Sequence, residues 1–133
     1  MKLESEKVTI NCDEDKAYAF ISDLNNFITL LPDTSIDKKA TVDTCSFIMK
    51  RTMTKMSMFV KELTPKTKVF LLSDEKSGFK SEITFNLANN GNTCVFDMIL
   101  DVDLNPMFAM MAKAPLQVFI DIIANNLKTT LEQ

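Results

Sequence analysis

The chain has no histidine, two glycines and three cysteines among its 133 residues. Without histidine it lacks the commonest general base near neutral pH and the commonest metal ligand. Gly78 and Gly91 cannot build a phosphate-cradling loop, because each falls at a strand start or a turn. Cys12, Cys45 and Cys94 have neither paired nor metal-like spacing, so reduced thiols are expected. No apolar run is long enough to span a membrane, which argues against stable membrane insertion. The opening Met1-Lys2-Leu3-Glu4-Ser5-Glu6 is charged where a secretory leader would be apolar, and a cytoplasmic location follows as the expectation. Basic excess is also missing: the net charge of −3 offers no face for nucleic-acid phosphates.

What is present suits a folded domain. The chain is 46% hydrophobic and 25% charged, and its length supports one domain, residues 1–133, with a genuine core. Lys2 to Ile10 reads as a first strand ending in Val8-Thr9-Ile10. Asp13 can cap a helix carrying Ala17, Phe20, Ile21 and Leu24 on one stripe, with Glu14 and Asp15 near its positive end. A second short helix, Asn25 to Leu31, stops at Pro32.

From Ser35 to Asp103 the period becomes two. A weak strand near Ser35–Val42 is followed by one with Cys45, Phe47 and Met49 on a single face, then one with Met56, Met58 and Val60. Val69 and Leu71 mark the next. Phe79, Ser81, Ile83, Phe85 and Leu87 alternate with polar residues, and Cys94, Phe96, Met98, Leu100 and Val102 form the last inward row. Asn89-Asn90-Gly91-Asn92 joins these two as a hairpin, with Gly91 free to take positive φ. Seven strands result, antiparallel where the links are short.

The chain closes on a helix from Pro106 to Leu131, N-capped by Asn105. Leu116, Phe119, Ile120, Ile123, Leu127 and Leu131 form its main apolar stripe. Pro115 predicts a kink or break near Lys113–Pro115. A lone long helix after a run of strands is used economically by lying across the concave face of a curved sheet. The fold class is therefore α+β: a curved seven-stranded antiparallel sheet around a long C-terminal helix, with two short helices between strands one and two.

This order, with Leu104-Asn105-Pro106-Met107, Ala114-Pro115-Leu116 and the opening Ala17-Tyr18-Ala19-Phe20-Ile21-Ser22-Asp23-Leu24, resembles the START and birch-pollen-allergen superfamily, also called SRPBCC or helix-grip proteins. The likeness spans the whole chain and is nearest to small bacterial members with no assigned activity. Its motifs are apolar patterns, which specify fold better than function. The resemblance implies binding of a hydrophobic or lipid-like molecule; some members cyclise, dehydrate or hydroxylate such ligands. Rieske clusters or metals occur in some branches, and nothing here matches their Cys and His ligands.

The inward rows converge on Phe47, Met49, Met56, Met58, Phe79, Ser81, Phe85, Phe96 and Met98, and Met107, Met110 and Met111 are expected to join them from the helix, with Phe108 pointing elsewhere. Thioethers suit a deformable pocket. The same residues would equally build a filled core, since each buried Phe or Met contributes roughly 1.5–3 kcal/mol whatever its purpose. Ser81 and Tyr18 could each orient a ligand carbonyl, or simply be satisfied locally. Asp97, Asp101 and Asp103 share one polar face, but the first two lie ~13 Å apart along a strand, too wide for one ion. No metal or other cofactor is expected. No catalytic residue is assigned, because the acids fall on outward parities and the inward thiols have no activating base. The leading expectation is thus a ligand-binding domain that is not an evident enzyme. A polyketide cyclase or dehydratase-like enzyme stays open, as does a dimerising interaction module using the outward Ile48, Phe59, Val95 and Ile99.

Overall fold

Alternating side chains become an antiparallel sheet in the computed structural model, which describes residues 1–133. The first extended run holds β1 (Lys2–Glu4) and β2 (Val8–Ile10). Helices α1 (Glu14–Ile21) and α2 (Leu24–Phe27) and a 3₁₀ turn (Ile28–Leu30) come next. They lead to β3 (Ser35–Ala40), β4 (Thr44–Met49), β5 (Thr54–Thr64), β6 (Lys68–Ser73), β7 (Ser81–Asn90) and β8 (Thr93–Val102). Helix α3 (Pro106–Leu131) closes the chain across the concave face. The spatial order is β1-β8-β7-β6-β5-β4-β3, with β2 also paired to β8. Hairpins therefore build everything from β3 to β8, and the short helices carry the chain from one sheet edge to the other.

Three local devices curve this sheet. The expected strand Lys2–Ile10 is interrupted: Glu4 faces Ile99 and Val8 faces Phe96, so three residues oppose two. Ser5 supports that bulge, its backbone N–H donating to the Met98 carbonyl at 2.8 Å and its hydroxyl accepting from the Met98 N–H at 2.9 Å. A second irregularity, between Ile36 and Lys39, puts Asp37 at φ 53°. The third lies between Val60 and Glu62. Bulges bend and twist the strand that carries them, which alternation alone does not reveal.

Local signals act as their chemistry requires. Asp13 caps α1 by accepting from the Lys16 N–H at 2.8 Å, and Asn105 caps α3 by accepting from the Phe108 N–H at 2.9 Å. Gly91 takes φ 68° in the β7–β8 turn. Strand β7 begins at Ser81, two residues later than Phe79. Gly78 lies against the start of β5, where a Cβ would come within 2.9 Å of Thr54 Cγ2.

Helix α3 is unbroken through Pro115, so of the kink or break expected there the break is absent. The reason is exposure: Pro115 cannot donate to the Met111 carbonyl, but both residues sit on the open part of the helix, where water can. From Leu116 onward the apolar stripe is buried, and Phe119 stacks on Phe47 of β4 with centroids 5.9 Å apart. A polar edge runs beside it. Gln117 donates to the Glu4 carbonyl at 2.8 Å, Asp121 accepts from the Glu6 N–H at 2.9 Å, and Lys128 donates to the Thr9 carbonyl at 2.6 Å. Glu132 then accepts from the Asn11 N–H at 2.8 Å. The bulged first run and the second half of α3 are thereby fastened together. One contiguous core of 30 buried apolar residues lies beneath.

Truncating Phe119→Ala should cost about 3–5 kcal/mol in urea unfolding. Val118→Ala, on the exposed side, should cost well under half of that. The hydrogen bond from Lys128 and that from Asn11 hold the Glu132 carboxyl below the usual glutamate range. A lowered folded-state pKa stabilises above the unfolded value and is lost as pH falls through the folded one. Glu132→Gln should accordingly lower Tm slightly at neutral pH and leave it unchanged in strong acid; an equal drop at both would rule out the carboxylate as the cause.

Candidate ligand cavity

The inward rows meet so closely that they leave no room between them. Phe47, Met56, Met58, Phe85, Phe96 and Met98 are all essentially without solvent exposure and belong to the filled core. Phe85 sits between Phe27 and Phe96, with ring centroids 5.2 and 6.0 Å away. Ser81 is also buried, and its hydroxyl is spent on the Met58 thioether at 3.4 Å. Tyr18 is half-buried against the core. These residues give the domain its stability, and the cavity lies elsewhere.

It lies at one end, beyond the filled core. The β4–β5 turn (residues 50–53), the approach to β3 (Pro32–Thr34), Phe79, Leu104 and the outer face of α3 enclose about 660 Å³. Three of the sequence-expected residues, Met49, Phe79 and Met111, line it. Met107 and Met110 do not: they are 77% and 83% exposed and lie outside its lining. They were expected to face inward with Met111, but the sheet does not extend under this part of α3. Phe108, expected to point away, lines the cavity instead.

The helix contribution could have been seen in the spacing. Phe108, Met111, Pro115, Val118 and Ile122 recur at alternating steps of three and four, a second apolar stripe beside the buried one. Leu116 and Phe119 belong to the buried stripe and also reach the cavity wall. The polar lining is sparse: Lys50, Arg51, Thr52 and Thr54 on the hairpin, with Asp33 and Thr34 opposite. Asp33 is the one carboxylate and is exposed, so no pair of acids converges with separated pKa values.

Nucleophilic and metal chemistry find little footing. Burial, then the negative charge of Asp74, pushes the Cys45 thiol up to about 12. Burial first, then neighbouring Cys12, does the same to Cys94. Both remain protonated at neutral pH, the unreactive form. No group of three Cys, Asp or Glu side chains is placed to share an ion. The outward Ile48, Phe59, Val95 and Ile99 are half-buried by their cross-strand neighbours and form no open apolar patch. The heavily exposed apolar residues cluster on the first half of α3 instead.

A START superfamily protein from Mycobacterium smegmatis superposes with a TM-score of 0.72 at 15% identity, over 99% of this chain and 97% of that one. The fold is START-like. A protein from Thermus thermophilus gives a TM-score of 0.78 at 12% identity, with 98% and 97% of the two chains covered. The di-domain ARO/CYC BexL of the BE-7585A biosynthetic pathway gives 0.74 at 10% identity, over 99% of this chain and 46% of that one. No family model matches the chain, and no curated protein matches its sequence. At such identities the START-like neighbours share the architecture, while side chains that would select a ligand are free to differ.

Iodoacetamide at mildly alkaline pH should modify half-buried Cys12 well before Cys45 or Cys94, which should react only after unfolding. Mass spectrometry of the peptides reads this directly. Chelation by EDTA should leave Tm unchanged; a fall of several degrees would mean that a metal holds the fold.

Proposed function

We propose that this START-like domain binds a hydrophobic small molecule or lipid-like ligand in the end cavity. The observation that carries the proposal is the cavity's combination of size and lining: about 660 Å³, walled mainly by apolar side chains. Small-molecule sites occupy roughly 300–1,000 Å³, are largely apolar and use few polar groups for orientation. Lys50, Arg51 and Asp33 supply those groups at the rim.

Binding can be regulated by the wall itself. Before Leu116, α3 has no fully buried side chain and only Ala112 packs against the core, so the segment bearing Phe108 and Met111 is the least supported part of the enclosure. In this reading it moves to admit ligand, and Pro115 eases the motion by removing one backbone hydrogen bond.

A cyclase-like activity has one observation in its favour, the structural likeness to the ARO/CYC protein BexL. Acid–base catalysis would have to use Asp33, Lys50 or Arg51 at the open rim, where none is held by burial. Binding without turnover is therefore the reading adopted.

Native mass spectrometry of the protein from its own cells, followed by organic extraction, should show one apolar molecule per chain. Phe79→Trp should fill part of the cavity and reduce that occupancy about tenfold, with Tm changed by only a few degrees because Phe79 lies at the edge of the core. Undiminished occupancy in Phe79→Trp would exclude this cavity. Pro115→Ala should slow ligand exchange measured by a displaced fluorescent fatty acid; an unchanged rate would remove the gating role.

A further inference from the structure

The outer face of the sheet carries a polar hollow that the end cavity does not use. On β4 and β5 the core takes Cys45, Phe47, Met56 and Met58, so Ser46, Lys55 and Ser57 point the other way. Register sets them in a row: Lys39 of β3 faces Ser46, and Ser46 faces Ser57. The loop after β6 folds against the end of that row and makes it concave. Ser57 binds the loop three ways: its N–H donates to Ser77 Oγ at 2.7 Å, its carbonyl accepts from the Asp74 N–H at 2.9 Å, and its hydroxyl donates to Asp74 Oδ2 at 2.7 Å. The Gly78 N–H donates to the Lys55 carbonyl at 2.8 Å. The hollow so formed measures about 390 Å³, and Ala40 and Cys45 are its only apolar lining residues. That volume falls within the roughly 300–1,000 Å³ of small-molecule sites.

Its charge is unbalanced. Lys39 from β3, Lys55 from β5 and Lys76 from the loop line it, and Asp74 is the one acid among them, leaving +2. None of the three ammonium groups takes part in an ion pair. Asp43 and Glu75 adjoin lining residues in the sequence but stay outside the lining. The whole-chain charge of −3 conceals this local excess. Like charges drawn around one concavity repel unless an anion stands between them. The Thr41 and Thr44 hydroxyls are bonded to each other at 2.6 Å, and that of Ser57 is held by Asp74, so Ser46 is the lining hydroxyl free to donate.

We infer that this outer hollow binds a phosphate group, free or carried by a small polar molecule. Ammonium groups act as point charges that approach an anion from separate directions, which suits a tetrahedral oxyanion. No arginine lines the hollow to offer a planar fork to a carboxylate. A phosphate monoester carries close to two negative charges at neutral pH, matching the local excess. The site is independent of the end cavity: Thr54 lines that cavity, whereas Lys55, the next residue on β5, lines the outer hollow.

NMR titration of the intact chain with sodium phosphate and with glycerol 3-phosphate tests the proposal, sodium chloride at matched ionic strength serving as the control. Both phosphates should give saturable shifts at the amides of Ser46, Lys55, Ser57 and Lys76, and the tighter of the two tells whether free phosphate or a monoester is preferred. Lys39→Gln combined with Lys55→Gln should weaken binding about tenfold or more. These side chains are exposed, so Tm and circular dichroism should match the parent. Lys61→Gln, exposed on β5 outside the lining, should leave binding unchanged. Asp74→Asn keeps an acceptor for Ser57 while removing the opposing charge, and should tighten binding about threefold. Absence of saturable shifts with either phosphate would overturn the proposal. So would equal shifts with chloride, full binding by the double lysine variant, or weaker binding by Asp74→Asn at unchanged Tm.

Discussion

Everything in this domain depends on how the second half of α3 is held. One side of it is pressed into the sheet by Leu116, Phe119, Ile120, Ile123, Leu127 and Leu131. Its edge is fastened to the bulged first run by Gln117, Asp121, Lys128 and Glu132. Apolar burial supplies most of the energy, being non-directional and proportional to area. The hydrogen bonds to Glu4, Glu6, Thr9 and Asn11 supply what burial cannot, a fixed rotation and register for the helix. The Glu6 N–H that Asp121 satisfies lies in the bulge, outside the sheet ladder, so the irregular strand and the helix edge complete each other.

That fastening also decides where space can exist. Beneath the anchored half, side chains from β4, β5, β7 and β8 meet in a packed core, as dense interiors do. Before Leu116 the helix runs without sheet beneath it, and the cavity opens there. Core and cavity are therefore neighbours in one concave space, divided by the level at which Phe119 stacks on Phe47. Inserting a larger side chain below that level would strain the core, whereas the end cavity has room for one.

The sequence carried the frame of this architecture in residues with local meaning. Asp13, Asn105 and Pro106 marked helix starts, Gly91 marked a turn, and period-two rows identified β7 and β8. The bulges at Ser5 and Asp37 were not legible, because they depend on which strand lies opposite and at what register. The cavity was only partly legible. Alternation shows which side chains face inward but not how far the sheet extends beneath the helix, so Met56 and Met58 could be read as lining when they are packing. Met107 and Met110 show the same gap, since a helical stripe is buried only where another element meets it. Phe108 was misplaced because the cavity follows a second stripe, whose residues look like ordinary surface until the β4–β5 turn is seen beside them.

The clasp between the first run and α3 also has a kinetic side. Asp121 and Glu6 are 115 positions apart, and Lys128 and Thr9 are 119 apart. Such contacts form only after nearly the whole chain has closed on itself, an entropic demand that slows folding in topologies rich in distant pairings. During synthesis the hairpins from β3 to β8 can assemble before α3 has left the ribosome, with their apolar concave face uncovered. The nascent sheet would then spend its most aggregation-prone interval waiting for its last element, and a chaperone able to shield that face would speed the yield of folded protein more than any catalyst of turn formation.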